Sequence, residues 1–397
     1  MCRAATPRRR DHTVAAVESV DVLVVGAGLA GLHTARRVAE RGLTVLVVER
    51  RSAPAAGIRT TGIFVRRTLD DFDLPDHLLG PGVRDVLLYP PSRRSPVRLR
   101  SDRDEYRVAD MAGVYAHARR AAEAAGAEVR LGTRFAGVDA GRVRFAGGAP
   151  ITARFVVGAD GARSRVAREL RLDVNRRFLV GAELVHPIAA GGGPPTFHCV
   201  LDPRVAPGYL GWVIDDGRHA HVGVAGYPAA MRTGVRHLLD EFAADAPGRA
   251  ATAGPVERRG GPIPVGGVLR RLACPAGLLV GDAAGAVSPL TAGGLDPCLR
   301  MADLAAAVVA DYLRTGDERI LRRYDGAALL ARFRGRLALR HVFAGIRSPL
   351  AAEAAVTMLR GRAGRAAAAR VLFGDRSFPD VQRTARSSTP RWADVQS

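Results

Sequence analysis

Three glycines and one acid carry the first chemistry in this chain. Gly26, Gly28 and Gly31 stand in the spacing G-x-G-x-x-G, with Leu29 and Ala30 between the last two. Gly26 permits a tight turn, Gly28 lets backbone amides approach a pyrophosphate, and Gly31 lets a helix pack against a strand. The helix that begins at Leu29 aims its positive end at the phosphates. Glu49 follows about 20 residues on, where such a fingerprint places the acid that accepts hydrogen bonds from ribose hydroxyls. Arg50 stands beside it. An acid there favours an unphosphorylated ribose, as in FAD or NAD, over NADP. Glycines alone also make structural turns. The strand before them, the helix after them and the acid together point to a dinucleotide.

Two later stretches separate FAD from NAD. VVGADGARSRVAREL (156–170) puts Asp160 and Gly161 after a strand and before a helix. LLVGDAAGAVSPLTAGGLDPCLR (278–300) puts Gly281 and Asp282 after another strand, and Gly293 and Gly294 before a long helical pattern. With the glycine fingerprint, these resemble the FAD-dependent oxidoreductases of the para-hydroxybenzoate hydroxylase fold, a group that includes the aromatic hydroxylases and the geranylgeranyl reductases. The three motifs occur in family order over residues 21–310. The resemblance implies that Asp282 accepts from a ribityl hydroxyl and that Asp160 sits near the adenosine and pyrophosphate. It implies that Gly293 and Gly294 open a helix facing the flavin N1–C2=O edge, where a helix dipole stabilises the reduced form. Pro289 would stiffen that loop, and Arg107 would lean on the cofactor.

Within the group the chain looks closest to the geranylgeranyl reductases. Gly285 stands where the hydroxylases more often carry His, and Gly293 where they carry Gln. Ala292 departs from both branches. PGYLGWVI (207–214) resembles the reductase strand that faces the flavin, although Asp215 and Asp216 follow in place of an aromatic-Pro pair. The resemblance implies hydride transfer from reduced FAD to a C=C bond of an isoprenoid-like or other hydrophobic substrate. Phe197, Tyr209 and Trp212 are candidates to line its pocket, though an ordinary sheet core is the readier reading of each. No general acid can be assigned. His198, His219 and His221 read as structural or surface residues. A second reading is an aromatic monooxygenase using NAD(P)H and oxygen. A third, of another class, is a flavin-binding protein without catalysis. With no second glycine fingerprint, NAD(P)H would dock transiently, or a separate redox protein would donate the electrons.

These residues need a scaffold, and the pattern supplies one. Residues 22–25 and 44–48 are short apolar runs, as in strands buried on both faces of a parallel sheet. Residues 29–41 read as the helix between them, giving β-α-β with a right-handed crossover. Residues 51–96 read as loops with short helices, 109–125 as a helix, and 151–160 as a strand ending at an acid. From 178 to 264, strand-like runs broken by Gly and Pro turns suggest an antiparallel sheet. The expected class is α/β: a discontinuous Rossmann-like FAD-binding domain (20–175 and 265–312), an inserted antiparallel-sheet substrate domain (176–264) and C-terminal helices (313–375). A polar arm (1–19) and a tail (376–397) flank them.

Composition narrows the partners. Across 397 residues the net charge is +20, and arginine supplies all of the 59 basic residues. The arginines are dispersed and no nucleic-acid motif accompanies them. That favours a solvated surface and a phosphate-bearing ligand over nucleic acid, with peripheral contact to an acidic membrane compatible. Four cysteines without C-x-x-C spacing argue against structural zinc or a disulfide scaffold. No metal site is expected. Arg8, Arg9 and Arg10 precede no apolar run, and no run reaches the ~18 residues of a membrane span. The expected location is the cytoplasm, with membrane contact at most peripheral.

Overall fold

The computed structural model describes residues 18–53, 57–188, 194–248 and 253–373. Its first three elements are β1 (Ser19–Val25), α1 (Leu29–Ala39) and β2 (Val45–Val48). β1 pairs in parallel with β2 on one side and with strand Ile151–Gly158 on the other. Glu128–Arg130 extends the sheet beyond β2, and Gly277–Leu279 extends it beyond Ile151–Gly158, both in parallel. Val22, Leu23 and Val24 are fully buried. Side chains on both faces of these strands are buried, which is why they are continuous apolar runs with no polar alternation. α1 packs against helix Met111–Ala124 and the long helix Leu295–Thr315.

A second sheet has seven strands. Glu257–Pro264, Phe178–Pro187, His219–Gly226, Gly211–Asp215 and Thr196–Val200 lie side by side and antiparallel. Asp85–Tyr89 then joins Thr196–Val200 in parallel, and Val97–Arg100 forms the edge. The antiparallel body agrees with the expectation for 178–264. The last two strands do not. Asp85–Tyr89 comes from the stretch read as loops, and both strands come from within 20–175, so the first segment also feeds the second sheet. Helix Val235–Ala244 covers one face, where Leu239 and Phe242 pack on Leu184, Val213 and Val222. The other face turns toward the first sheet.

Of the arm expected over 1–19, Glu18 and Ser19 are described, and both belong to the folded body. Ser19 opens β1 and Glu18 pairs with Arg130; residues 1–17 and the tail lie outside the described residues. Among the described residues four more α-helices follow the long one: Gly326–Ala331, Arg334–Ala344, Pro349–Met358 and Arg362–Leu372. Arg340 is buried and pins them to the second sheet. It donates to the Gly208 carbonyl and, at 3.1 Å, to the Tyr227 hydroxyl. Its guanidinium also lies over the Tyr209 and Tyr227 rings.

Candidate active site

The glycine loop joins β1 to α1. Gly26 adopts φ +110° and donates its N–H to Val48 O at 2.8 Å. A Cβ there would overlap the Ala159 carbonyl, and one at Gly31 would overlap the Gly26 carbonyl. Gly28 differs: nothing lies within 4 Å of where its Cβ would stand. It caps α1 with no side chain covering the first turn, so the helix amides face open space. Glu49 is buried at the tip of β2. One carboxylate oxygen accepts from Ala27 N–H at 3.1 Å and the other from Arg51 N–H at 3.0 Å. The acid that sequence spacing assigned to a ribose thus also fixes the loop. Leu29, Ala30 and Arg50 line the same space.

Two more strand tips converge there. Asp160 accepts from Arg165 N–H (2.6 Å) and Val166 N–H (3.1 Å), which caps the short helix Arg165–Glu169. Its other oxygen, Oδ1, is buried without a partner among the described residues. Gly281 follows strand Gly277–Leu279 with φ +58°, packed so closely on α1 that a Cβ would come within 2.7 Å of Ala30 Cβ. Asp282 opens onto the cavity but is otherwise enclosed by protein. Enclosure pushes its carboxyl up to about 6, with Arg59 pulling the other way. Asn175 ties two of the tips together, donating to Ala162 O at 3.1 Å and to Asp282 O at 2.8 Å. Nothing in the sequence marked it.

The loop 288–294 is held from three sides. Ser288 N–H donates to Gly293 O at 2.9 Å, Tyr209 Oη to Thr291 O at 2.6 Å, and Arg336 to Ser288 Oγ at 2.7 Å. Ala292, the departure from the family's glycine, sits at φ +53°, a conformation that glycine adopts without strain. Gly294 then starts the long helix without a side-chain cap. Gly293 and Gly294 line the cavity, whereas Pro289 is buried within the loop and does not. Cys298 lies one turn into the helix. Burial pushes its thiol far up, and it donates to Leu295 O at 3.1 Å.

One cavity of about 1350 Å³ joins these parts. That exceeds the roughly 300–1000 Å³ of an ordinary ligand pocket, so it has room for a cofactor and a substrate. Phe197, Tyr209 and Trp212 all line it. Arg107 does not. Its guanidinium is used by Gly80 O (2.7 Å), Leu79 O (3.1 Å) and Asp76 (2.6 Å), so it braces a loop away from the site. The lining also contains Arg59, Thr61 and Glu183, which sequence reading passed over. Glu183 is an acid in the apolar run FLVGAELV, and that oddity was its only signal.

These features fit FAD. A phosphate fits the uncapped end of α1, and hydroxyl groups fit the buried acceptors Glu49 and Asp160 Oδ1 and the cavity-facing Asp282. Among the described residues no group of acids, histidines and cysteines could hold a metal.

Comparison with known proteins agrees. Residues 19–180 match the FAD binding domain family. The chain is 32% identical over 322 residues to digeranylgeranylglycerophospholipid reductase 1 of Methanopyrus kandleri, covering 77% of this chain and 84% of that one. It is 32% identical over 325 residues to the corresponding reductase of Methanoculleus marisnigri, covering 75% and 78%. Among solved structures, a geranylgeranyl bacteriochlorophyll reductase-like protein from Thermoplasma acidophilum superposes with TM-score 0.79 at 22% identity, covering 90% and 98%. The p-nitrophenol 4-monooxygenase of Pseudomonas putida gives 0.67 at 19%, covering 92% and 100%. At those identities both show a shared fold. The sequence relatives go further: the chain is an FAD-dependent oxidoreductase and belongs to the family of the digeranylgeranylglycerophospholipid reductases.

Proposed function

We propose that this chain reduces carbon–carbon double bonds in the isoprenoid chains of a lipid. One observation carries the reading: a single cavity is lined at one end by the glycine loop and at the other by an apolar wall. The wall is built by Phe197, Trp212 and Ile263 of the second sheet and by Leu359, Leu372 and Phe373 of the C-terminal helices. The names of the sequence relatives support the same substrate class.

Bound FAD, once reduced, supplies a hydride. The protein's own residues place it. The amides of α1 beside Gly28 would hold the pyrophosphate, and Glu49 the adenosine ribose. Asp160 Oδ1 would accept from the adenosine and pyrophosphate half, and Asp282 from the ribityl chain. The helix that Gly293 and Gly294 open would stabilise added negative charge on the ring through its dipole. The apolar wall keeps water from the reacting carbons. NAD(P)H or a separate redox protein supplies the electrons.

Leu339 and Val342 line the cavity and are 45% and 69% exposed, which marks its mouth. A mouth edged by apolar side chains on arginine-rich helices suits a lipid entering from an anionic membrane surface. No described helix is long and apolar enough to cross a membrane.

The test is anaerobic incubation of the FAD-loaded, dithionite-reduced protein with digeranylgeranylglyceryl phosphate. The expected result is return of the flavin's yellow colour and a lipid heavier by two hydrogens per double bond. Turnover only with oxygen, giving a product heavier by one oxygen, overturns the reading in favour of a monooxygenase.

A further inference from the structure

The sheet face toward the cavity carries a buried chain of ionisable groups, separate from the residues assigned above to the cofactor. Glu183 and His221 sit on neighbouring antiparallel strands, two residues apart in register, with Glu183 opposite Gly223 and Val185 opposite His221. That diagonal keeps both on one face and within reach of each other. His221 Nδ1 lies 3.1 Å from Glu183 Oε1, and its Nε2 lies 3.2 Å from Asp216 Oδ2. Glu183 Oε2 accepts from the Thr61 hydroxyl and, at 3.3 Å, from Trp212 Nε1. Gly223 makes the second contact possible. It lies between Trp212 and Glu183 in register, and any side chain there would overlap the indole.

The two ends of the chain differ. Glu183, Thr61 and Trp212 line the cavity. Asp216 lies in the turn after Gly211–Asp215, 16% exposed, next to the more open His219. His221 between them is 1% exposed. Arg259, from the next strand, lies 3.6 Å from Glu183 and 2.7 Å from Glu257. Three acids, Glu183, Asp216 and the more open Glu257, therefore face two cations, His221 and Arg259, with Asp215 a further acid nearby. Burial alone would lower the His221 pKa. Glu183 and Asp216 on either side outweigh it and hold it at about 9. At neutral pH the imidazole carries a proton and donates from both nitrogens.

We propose that Asp216, His221 and Glu183 form a relay that delivers the proton completing alkene reduction, with Glu183 as the donor into the cavity. This rests on the reductase reading above. Adding hydride to one alkene carbon leaves the other needing a proton, and the relay provides it. The Nδ1–H bond of His221 breaks and an O–H bond forms on Glu183. The carboxyl turns to present that O–H to the cavity, and the bond breaks as a C–H bond forms on the second carbon. His221 is left neutral, still hydrogen-bonded to Asp216, and is reprotonated from solvent between turnovers. Glu183 is the catalytic residue here; His221 and Asp216 act through it.

The experiment follows flavin reoxidation after the reduced holoenzyme is mixed anaerobically with digeranylgeranylglyceryl phosphate, from pH 6 to pH 10. The wild-type rate should hold below about pH 9 and fall above it, as His221 loses its proton. Glu183→Gln and His221→Asn should slow the step about 100-fold or more, the scale of a lost general acid. They should erase the break near pH 9 and leave flavin content and KM unchanged. Should either fail to fold, Asp216→Asn, at the partly open end, should move the break to lower pH. An independent readout is the His221 imidazole titration by NMR in the oxidised holoenzyme, which should fall toward ordinary values in Glu183→Gln. Variants that keep the wild-type rate and pH profile overturn the relay and leave the reductase reading standing. No saturated product from wild type overturns both.

Discussion

Gly26 and Gly28 stand two residues apart, yet a side chain would do different harm at each. At Gly26 a Cβ meets backbone, so substitution strains the fold; at Gly28 it meets nothing within 4 Å, at φ −76°, which any residue adopts. Gly28→Val should therefore fold with unchanged circular dichroism and fail to hold flavin. The affinity loss should be about tenfold or more, equivalent to ~1.4 kcal/mol or more, by fluorescence titration with FAD. Retained yellow colour at wild-type strength would mean the pyrophosphate does not approach there. The glycines, Glu49 and Asp282 were legible in sequence because one ligand's shape fixes both their type and their spacing. Glu183 and His221 were not. His221 looked bland within its own strand, Glu183 showed only as an acid in an apolar run, and only the pairing register brings the two to one face. Arg107 misled for the converse reason: an arginine in a strand reads the same whether it faces a ligand or braces a loop.

At the scale of elements, the β-α-β unit could be read from residues 22–48 because its pairing is local. The strands Asp85–Tyr89 and Val97–Arg100 could not. The first pairs with Thr196–Val200, far along the chain, and arginines and prolines crowd the intervening stretch. The C-terminal helices were expected, but their attachment was not. Arg340 serves neutral acceptors in a buried setting, and hydrogen bonds to a charged group contribute roughly 1.5–3 kcal/mol each. Arg340→Ala should lower stability by ~2 kcal/mol in urea unfolding. It should also expose the helices after residue 331 to proteases while flavin content stays intact. Unchanged cleavage would show that Arg336 and apolar packing hold these helices without it.

At the scale of the molecule, the excess of arginine and the exposed apolar side chains on the C-terminal helices belong to one expectation. Leu350 and Met358 are 84% and 73% exposed on helix Pro349–Met358. The protein should float with phosphatidylglycerol vesicles and not with phosphatidylcholine vesicles. Leu350→Asp should weaken that binding, and 0.5 M salt should weaken it further through screening. Equal recovery with both lipids would assign the charge to solubility alone.

The flavin cradle also sets when the molecule can mature. Its strand tips are Gly26–Gly31, Asp160 and Gly281–Asp282, and Asn175 bolts the second to the third. On the ribosome, the first tip emerges long before the strand Gly277–Leu279 that must slot in beside Ile151–Gly158. A nascent chain can raise β1, α1 and β2 early, but it has nowhere to seat the coenzyme until the last tip arrives. Loading is therefore a late event in biogenesis, and a truncated translation product would be born colourless.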